Sequence, residues 1–165
     1  MRIPEANDTC LLQGEWFFGA GRAIYTLLGS CVAVTVWHPS RRIGGMCHFV
    51  LPNGPRSQID MNSRYADGAL RALATEIQRA GLINSEFEVG LFGGGNMFSN
   101  SEFGAYDIGT RNVDAGRRIL LGSAFRIARE QTGGKVYRHV HLDLITGQIL
   151  VREETTVKKA ETSPV

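Results

Sequence analysis

The chain has 165 residues, 43% of them hydrophobic and 21% charged, values ordinary for a globular protein and enough to bury about two thirds of its unfolded surface in one domain. With 18 basic and 16 acidic residues the formal net charge is +2, too balanced to argue for nucleic acid or an anionic membrane as a partner. Three cysteines without CxxC spacing argue against a disulfide framework, and no apolar run is long enough for a signal segment or a membrane span, so the expectation is a soluble, cytoplasmic protein.

Residues 1–8 are polar. Residues 10–19 mix apolar and aromatic positions around a glycine and predict an edge strand or hairpin of purely structural role, with Cys10 read as inert. A turn at residues 19–22 leads into residues 23–28, a strand candidate that delivers Cys31. Residues 31–37, β-branched at Val32, Val34, Thr35 and Val36, and residues 46–51 then read as the two strands of a hairpin. Pro39 suits the second position of a turn, which predicts a two-residue connection, Pro39-Ser40. That register sets Trp37 opposite Arg42, Thr35 opposite Gly44, Ala33 opposite Met46 and Cys31 opposite His48, each pair on one face with Cβ atoms roughly 4.5–5.5 Å apart.

A thiol and an imidazole so placed have the geometry of a cysteine nucleophile and its base. The plainer reading of such a pair is a buried cysteine beside a satisfied histidine. Parity decides between them, because a bulge at Gly44 or Gly45 would send His48 to the other face. Gly29 and Ser30 precede Cys31 at a place where backbone N–H groups can turn toward an oxyanion.

After a loop around residues 52–55, apolar residues at Ala66, Leu70, Leu73, Ile77 and Ala80 mark one face of a helix, capped by Asn62 or Ser63 and ended by Gly81. Residues 87–92 predict a strand running into Gly93-Gly94-Gly95-Asn96. This is no phosphate loop, since GxxxxGK[ST] is absent and Phe98 stands where GxGxxG needs glycine; the glycines are read as letting backbone approach another element. Thr110 is expected to cap a helix through Leu121, with Asp114 near its positive end. Residues 125–130 are ambiguous between helix and strand. Residues 135–144 and 148–152, joined by a turn at Thr146-Gly147, predict a terminal hairpin on which His139 and His141 form a same-face solvated pair. From Glu153 to Val165 the chain reads as a disordered polar tail, leaving residues 1–152 as the domain.

Thr26-Leu-Leu-Gly-Ser-Cys-Val-Ala-Val and Gly44-Gly-Met-Cys-His-Phe-Val-Leu-Pro resemble the CheD chemoreceptor glutamine deamidases. So, in the same order, do Leu91-Phe-Gly-Gly-Gly-Asn-Met-Phe, Ile108-Gly-Thr-Arg-Asn-Val and Gly133-Gly-Lys-Val-Tyr. The resemblance spans roughly residues 10 to 152. It implies an α/β sandwich of β-sheets with helices packed on them, similar to the catalytic domain of the cytotoxic necrotising factor deamidases, and it makes residues 125–130 a strand. It also implies Cys31 and His48 as catalytic residues and no cofactor. Family members often carry a threonine six residues before the cysteine; Tyr25 stands there in this chain and Thr26 one residue later, which leaves the role of Thr26 open. Ser30, Gly29, Gly94, Asn96 and Asn112 are read as oxyanion or pocket-lining positions.

The reaction so implied is hydrolysis of glutamine side chains on methyl-accepting chemotaxis receptors, with the phosphatase CheC as a candidate second partner. A different class of function is a non-catalytic binding module that regulates CheC or receptor signalling. A metal site built from Cys31, Cys47, His48 and His38 is disfavoured, because Cys47 and His48 point to opposite faces of one strand.

Overall fold

A computed structural model describes residues 3–55, 62–97 and 107–155. Among these described residues nine strands form two sheets. β1 (Thr9–Cys10), β3 (Ala23–Leu28), β8 (Val136–Asp143) and β9 (Ile149–Thr155) make a four-stranded sheet in the order β1-β3-β8-β9. β2 (Trp16–Gly19), β4 (Val32–His38), β5 (Ile43–Phe49), β6 (Glu88–Gly93) and β7 (Arg126–Thr132) make a five-stranded sheet in the order β2-β5-β4-β6-β7. β1 with β3 and β6 with β7 are the parallel pairs, and every other neighbour is antiparallel. The helices α1 (Ala66–Arg79) and α2 (Ile108–Gly122) pack on the five-stranded sheet. The result is an α/β sandwich of mixed sheets with helices on one side, and no described helix is long and apolar enough to cross a membrane.

Alternation along each strand divides two cores. Val32, Val34, Val36, Cys47, Phe49, Val89 and Leu91 point toward the helices and meet Leu70, Leu73, Ile77, Val113 and Leu120. Their neighbours Ala33, Met46 and Phe92 point the other way, between the sheets, where they pack with Cys31, Ile24, Leu28, Val140 and Leu142. Period-two patterning therefore places Cys31 between the sheets and Cys47 under the helices.

The β4–β5 connection differs from the expectation. It has four residues, Pro39 to Arg42, between the paired His38 and Ile43; Arg42 takes φ 51° and donates its N–H to the His38 carbonyl at 2.9 Å. Arg41 and Arg42, the second in the left-handed region, are the two residues that a two-residue turn lacks. The register accordingly slides by two: Trp37 pairs with Gly44, Thr35 with Met46 and Ala33 with His48. A slip of two preserves every face, so His48 remains on the Cys31 side, one diagonal step away rather than directly across.

Caps were misplaced on both helices. α1 starts after Tyr65 with no side-chain cap, while the Asn62 carboxamide accepts from the Arg64 N–H and Ser63 donates to the Gly14 carbonyl. Its end is as expected: Gly81 at φ 72° closes a paired turn, with Gly81 N–H on the Gln78 carbonyl and Leu82 N–H on that of Ile77. α2 is capped by Asp107, whose carboxylate accepts from the Thr110 N–H at 3.1 Å, so Thr110 is the capped residue rather than the cap. Against the cost of partial burial, the Thr110 hydroxyl and N–H, the Asn96 side chain and the Gly109 N–H hold the Asp107 carboxyl below its usual range. Asp107→Ala is expected to lower stability by about 1 kcal/mol in denaturant titration.

Residues 10–19 are two strands in different sheets rather than one element, and residues 126–132 form a strand as the resemblance implied. β9 continues three residues past Arg152 to Thr155, held by the Arg138–Glu153 ion pair at 2.9 Å and by a contact of His139 Nε2 with the Glu154 carboxylate at 3.3 Å. Residues 156–165 of the expected tail, like Phe98, lie outside the described residues. His139 and His141 do share a face, but His141, set between Tyr25 and Leu150, is buried rather than solvated.

Candidate active site

His48 stands on β5 between the sheets, 3% exposed. Its Nδ1 lies 2.8 Å from the Thr26 hydroxyl, which donates its own proton to the Leu11 carbonyl at 2.7 Å. A hydroxyl has one proton to give, so Thr26 must accept from His48, and Nδ1 carries the hydrogen. The lone pair is then on Nε2, which is buried and has no hydrogen-bond partner among the described residues. Cys31, 6% exposed, is on the same side of the sheet at the mouth of β4.

Thr26 thus meets His48 despite its one-residue offset. On β3 the inward residues are Ile24, Thr26 and Leu28, while Tyr25 faces outward beside His141. The chain crosses from one sheet to the other at Gly29-Ser30, so strand parity counted back from Cys31 does not carry into β3.

Burial pushes the Cys31 thiol above its ordinary value, opposed by its own N–H. Burial also lowers His48, opposed by the Leu11 carbonyl and the Glu15 carboxylate. Both shifts favour the neutral forms, a thiol at Cys31 and a free base at His48, over a preformed thiolate and imidazolium. Cys47, wholly buried under the helices, is pushed up to about 12 and is chemically silent.

The expected oxyanion and pocket residues sort differently. Three consecutive carbonyls around the cysteine are tied down: Gly29 accepts from the Gly95 N–H at 2.8 Å, Cys31 from the Gly94 N–H at 2.9 Å, and Ser30 from the Asn112 carboxamide at 3.1 Å. The Asn96 N–H goes to the Gly134 carbonyl, and its side chain reaches Asp107. The N–H groups of Gly94, Gly95 and Asn96 are therefore committed to structure and not to an oxyanion. Gly93 at φ 112° and Gly94 at φ 63° are required, since a Cβ would strike the Cys31 carbonyl at the first and Val113 at the second. Asn112 is fully buried and is no rim residue. Gly29 packs against Met97 and Tyr137.

Two contributions had no signal in spacing. Residues 11–15, read as merely structural, hold His48 and its partner: the Gly14 N–H donates to the His48 carbonyl at 2.8 Å, the His48 main-chain N–H to the Glu15 carbonyl at 3.0 Å, and the Leu11 carbonyl holds Thr26. Arg138, 4% exposed, donates to the Gly93 carbonyl at 3.1 Å and joins the sheets next to the glycine turn. Of the four residues in the disfavoured metal reading, Cys47 lies in the helix-side core and His38 at the far end of β4 against Phe87.

Comparison with known proteins identifies the family. Residues 50–153 match the family model described as CheD chemotactic sensory transduction. The chain belongs to the CheD family. It is 37% identical to the probable chemoreceptor glutamine deamidase CheD 3 of Dechloromonas aromatica, over 88% of this chain and 86% of that one. To the probable CheD 2 of Albidiferax ferrireducens it is 38% identical over 90% and 88%, and to the probable CheD of Pyrococcus horikoshii 35% over 90% and 93%. The family model begins after His48, while the matches to these relatives extend over about nine tenths of the chain.

Proposed function

We propose that the protein deamidates glutamine side chains on the cytoplasmic helices of methyl-accepting chemotaxis receptors, through a thioester on Cys31. The observation that carries this reading is the Leu11–Thr26–His48 hydrogen-bond chain, which leaves Nε2 as a free base on the side of the sheet that holds Cys31. The family relatives, named as chemoreceptor glutamine deamidases, supply the substrate class.

His48 Nε2 takes the Cys31 proton as sulfur attacks the carboxamide carbon, and the resulting oxyanion accepts from the Cys31 N–H. The C–N bond breaks, His48 returns the proton to the departing nitrogen, and ammonia leaves a thioester. Water gives a proton to His48, attacks that thioester, and releases glutamate and the thiol. Thr26 holds the imidazole in the required tautomer throughout. The reaction needs no metal or cofactor. CheC remains a candidate partner by family resemblance.

Incubation with a receptor cytoplasmic fragment should release ammonia and convert specific glutamines to glutamates, read by peptide mass spectrometry. Protein that binds receptor and never releases ammonia would instead favour a binding module.

The acid side of the pH dependence follows from the His48 shift. His48 acts as base only when neutral, and its value lies below the ordinary 6.5, so the acid limb of kcat/KM should fall below pH 6.5. Glu15→Gln removes a charge that raises His48 and should move that limb lower still. An acid limb above 6.5, or a shift upward in Glu15→Gln, would contradict the neutral-pair assignment.

A further inference from the structure

We propose that Asn112 is a positioning residue for this reaction: by holding the Ser30 carbonyl toward α2, it presents the Cys31 N–H, the other end of the same peptide, to the oxyanion formed at Cys31. The inference rests on the deamidase reading and assigns a residue on which that reaction depends without contact with substrate.

Asn112 is 0% exposed, and its amide nitrogen donates to two carbonyls, Ser30 at 3.1 Å and Val50 at 2.8 Å. Two acceptors on one atom fix that atom as the NH2 group and spend both of its hydrogens. One side chain on α2 therefore pins the stretch entering β4 to the stretch leaving β5, the two stretches next to Cys31 and His48.

The peptide between Ser30 and Cys31 is planar and trans, so its C=O and N–H point in opposite directions. A carbonyl held toward α2 obliges the N–H to point away from the helices, toward the inter-sheet side where the sulfur lies, and the Cys31 N–H does lie against its own sulfur. The flanking carbonyls of Gly29 and Cys31 are tied by backbone N–H groups, which no substitution of a side chain removes. The Ser30 carbonyl is the one of the three held by a side chain. Without Asn112 the Ser30 carbonyl loses its side-chain anchor and the donor loses its aim.

The test separates positioning from general structural support. Deamidation develops an oxyanion, whereas alkylation of Cys31 by iodoacetamide displaces iodide at a saturated carbon and develops none. Asn112→Ala is expected to lower kcat on receptor fragment about 10²-fold, the scale of losing one oxyanion donor, with KM changed less than about threefold and the alkylation rate of Cys31 near wild type. Asn112→Ser, which retains one donor, should recover part of the loss. Equal falls in kcat and alkylation would show a general collapse of the site and overturn the assignment, as would unchanged kcat.

A measurement on wild-type protein guards against variants that do not fold. A receptor peptide carrying an aldehyde in place of the target carboxamide adds the Cys31 S–H across its C=O, and the Cys31 amide proton should move downfield by NMR as it takes the new oxygen. An unmoved amide proton would overturn the proposal. Wild-type protein that releases no ammonia from receptor would overturn the deamidase reading itself, whereas active wild type with a fully active Asn112→Ala rejects only the role of Asn112.

Discussion

Replacing Cys31 by alanine is expected to abolish ammonia release from receptor fragments while leaving receptor binding and the thermal transition near wild type. Sulfur at this position is the only atom able to carry the thioester, and the side chain is small and lies at the mouth of β4, so its loss opens little volume. Cys31→Ser should be almost as inactive. An alcohol is a far weaker acid than a thiol, and His48, with its value lowered by burial, is a poor base for it. Cys47→Ala serves as the control. It empties one atom's space in the helix-side core and should cost about 1 kcal/mol with activity retained. Deamidation by Cys31→Ala at any substantial fraction of the wild-type rate would rule out the covalent mechanism.

The separation of Cys31 from Cys47 could be read from the sequence because it depends only on alternation along β4 and β5. The turn length was wrong by two residues, and an even error leaves faces intact: Ala33 rather than Cys31 stands opposite His48, yet Cys47 still points under the helices. An odd error would have reversed the site. What alternation could not reach were contacts made across a change of sheet. Thr26 meets His48 because the chain passes from β3 to β4 through Gly29-Ser30, and no periodicity runs through such a crossing. The same holds for Leu11 and Glu15, which reach His48 only because β1 and β2 belong to different sheets. Asn112 sat in a recognisable block, but its burial depends on how α2 lies on the sheet, a tertiary fact without a local signal. The caps failed for a related reason. Asn62 and Ser63 are good cap residues whose hydrogen bonds go to Arg64 and Gly14 instead.

His48→Ala is expected to lower kcat by at least ~10³-fold, since it removes the group that both takes the thiol proton and delivers it to the leaving nitrogen. Thr26→Val tests how that imidazole is oriented. Valine matches threonine in shape, but it deprives the Nδ1–H of its acceptor at 2.8 Å and leaves the Leu11 carbonyl without the hydroxyl. An unsatisfied buried donor costs about 1–3 kcal/mol, which favours moving the proton to Nε2 or turning the ring, and either change removes the lone pair from the cysteine side. Converted at about 1.4 kcal/mol per decade, that bias corresponds to a fall in kcat of roughly 10- to 100-fold. The signature is in the combination. If Thr26 acts only through His48, then Thr26→Val should cost nothing further in a His48→Ala background, because a tautomer cannot matter once the ring is gone. A double variant that lost the product of both factors would show Thr26 acting on substrate or on Cys31 directly and would dissolve the chain Leu11–Thr26–His48 as a functional unit. Proton NMR of wild type supplies the independent check: the single ring N–H of neutral His48 should be assigned to Nδ1 and should shift or vanish in Thr26→Val.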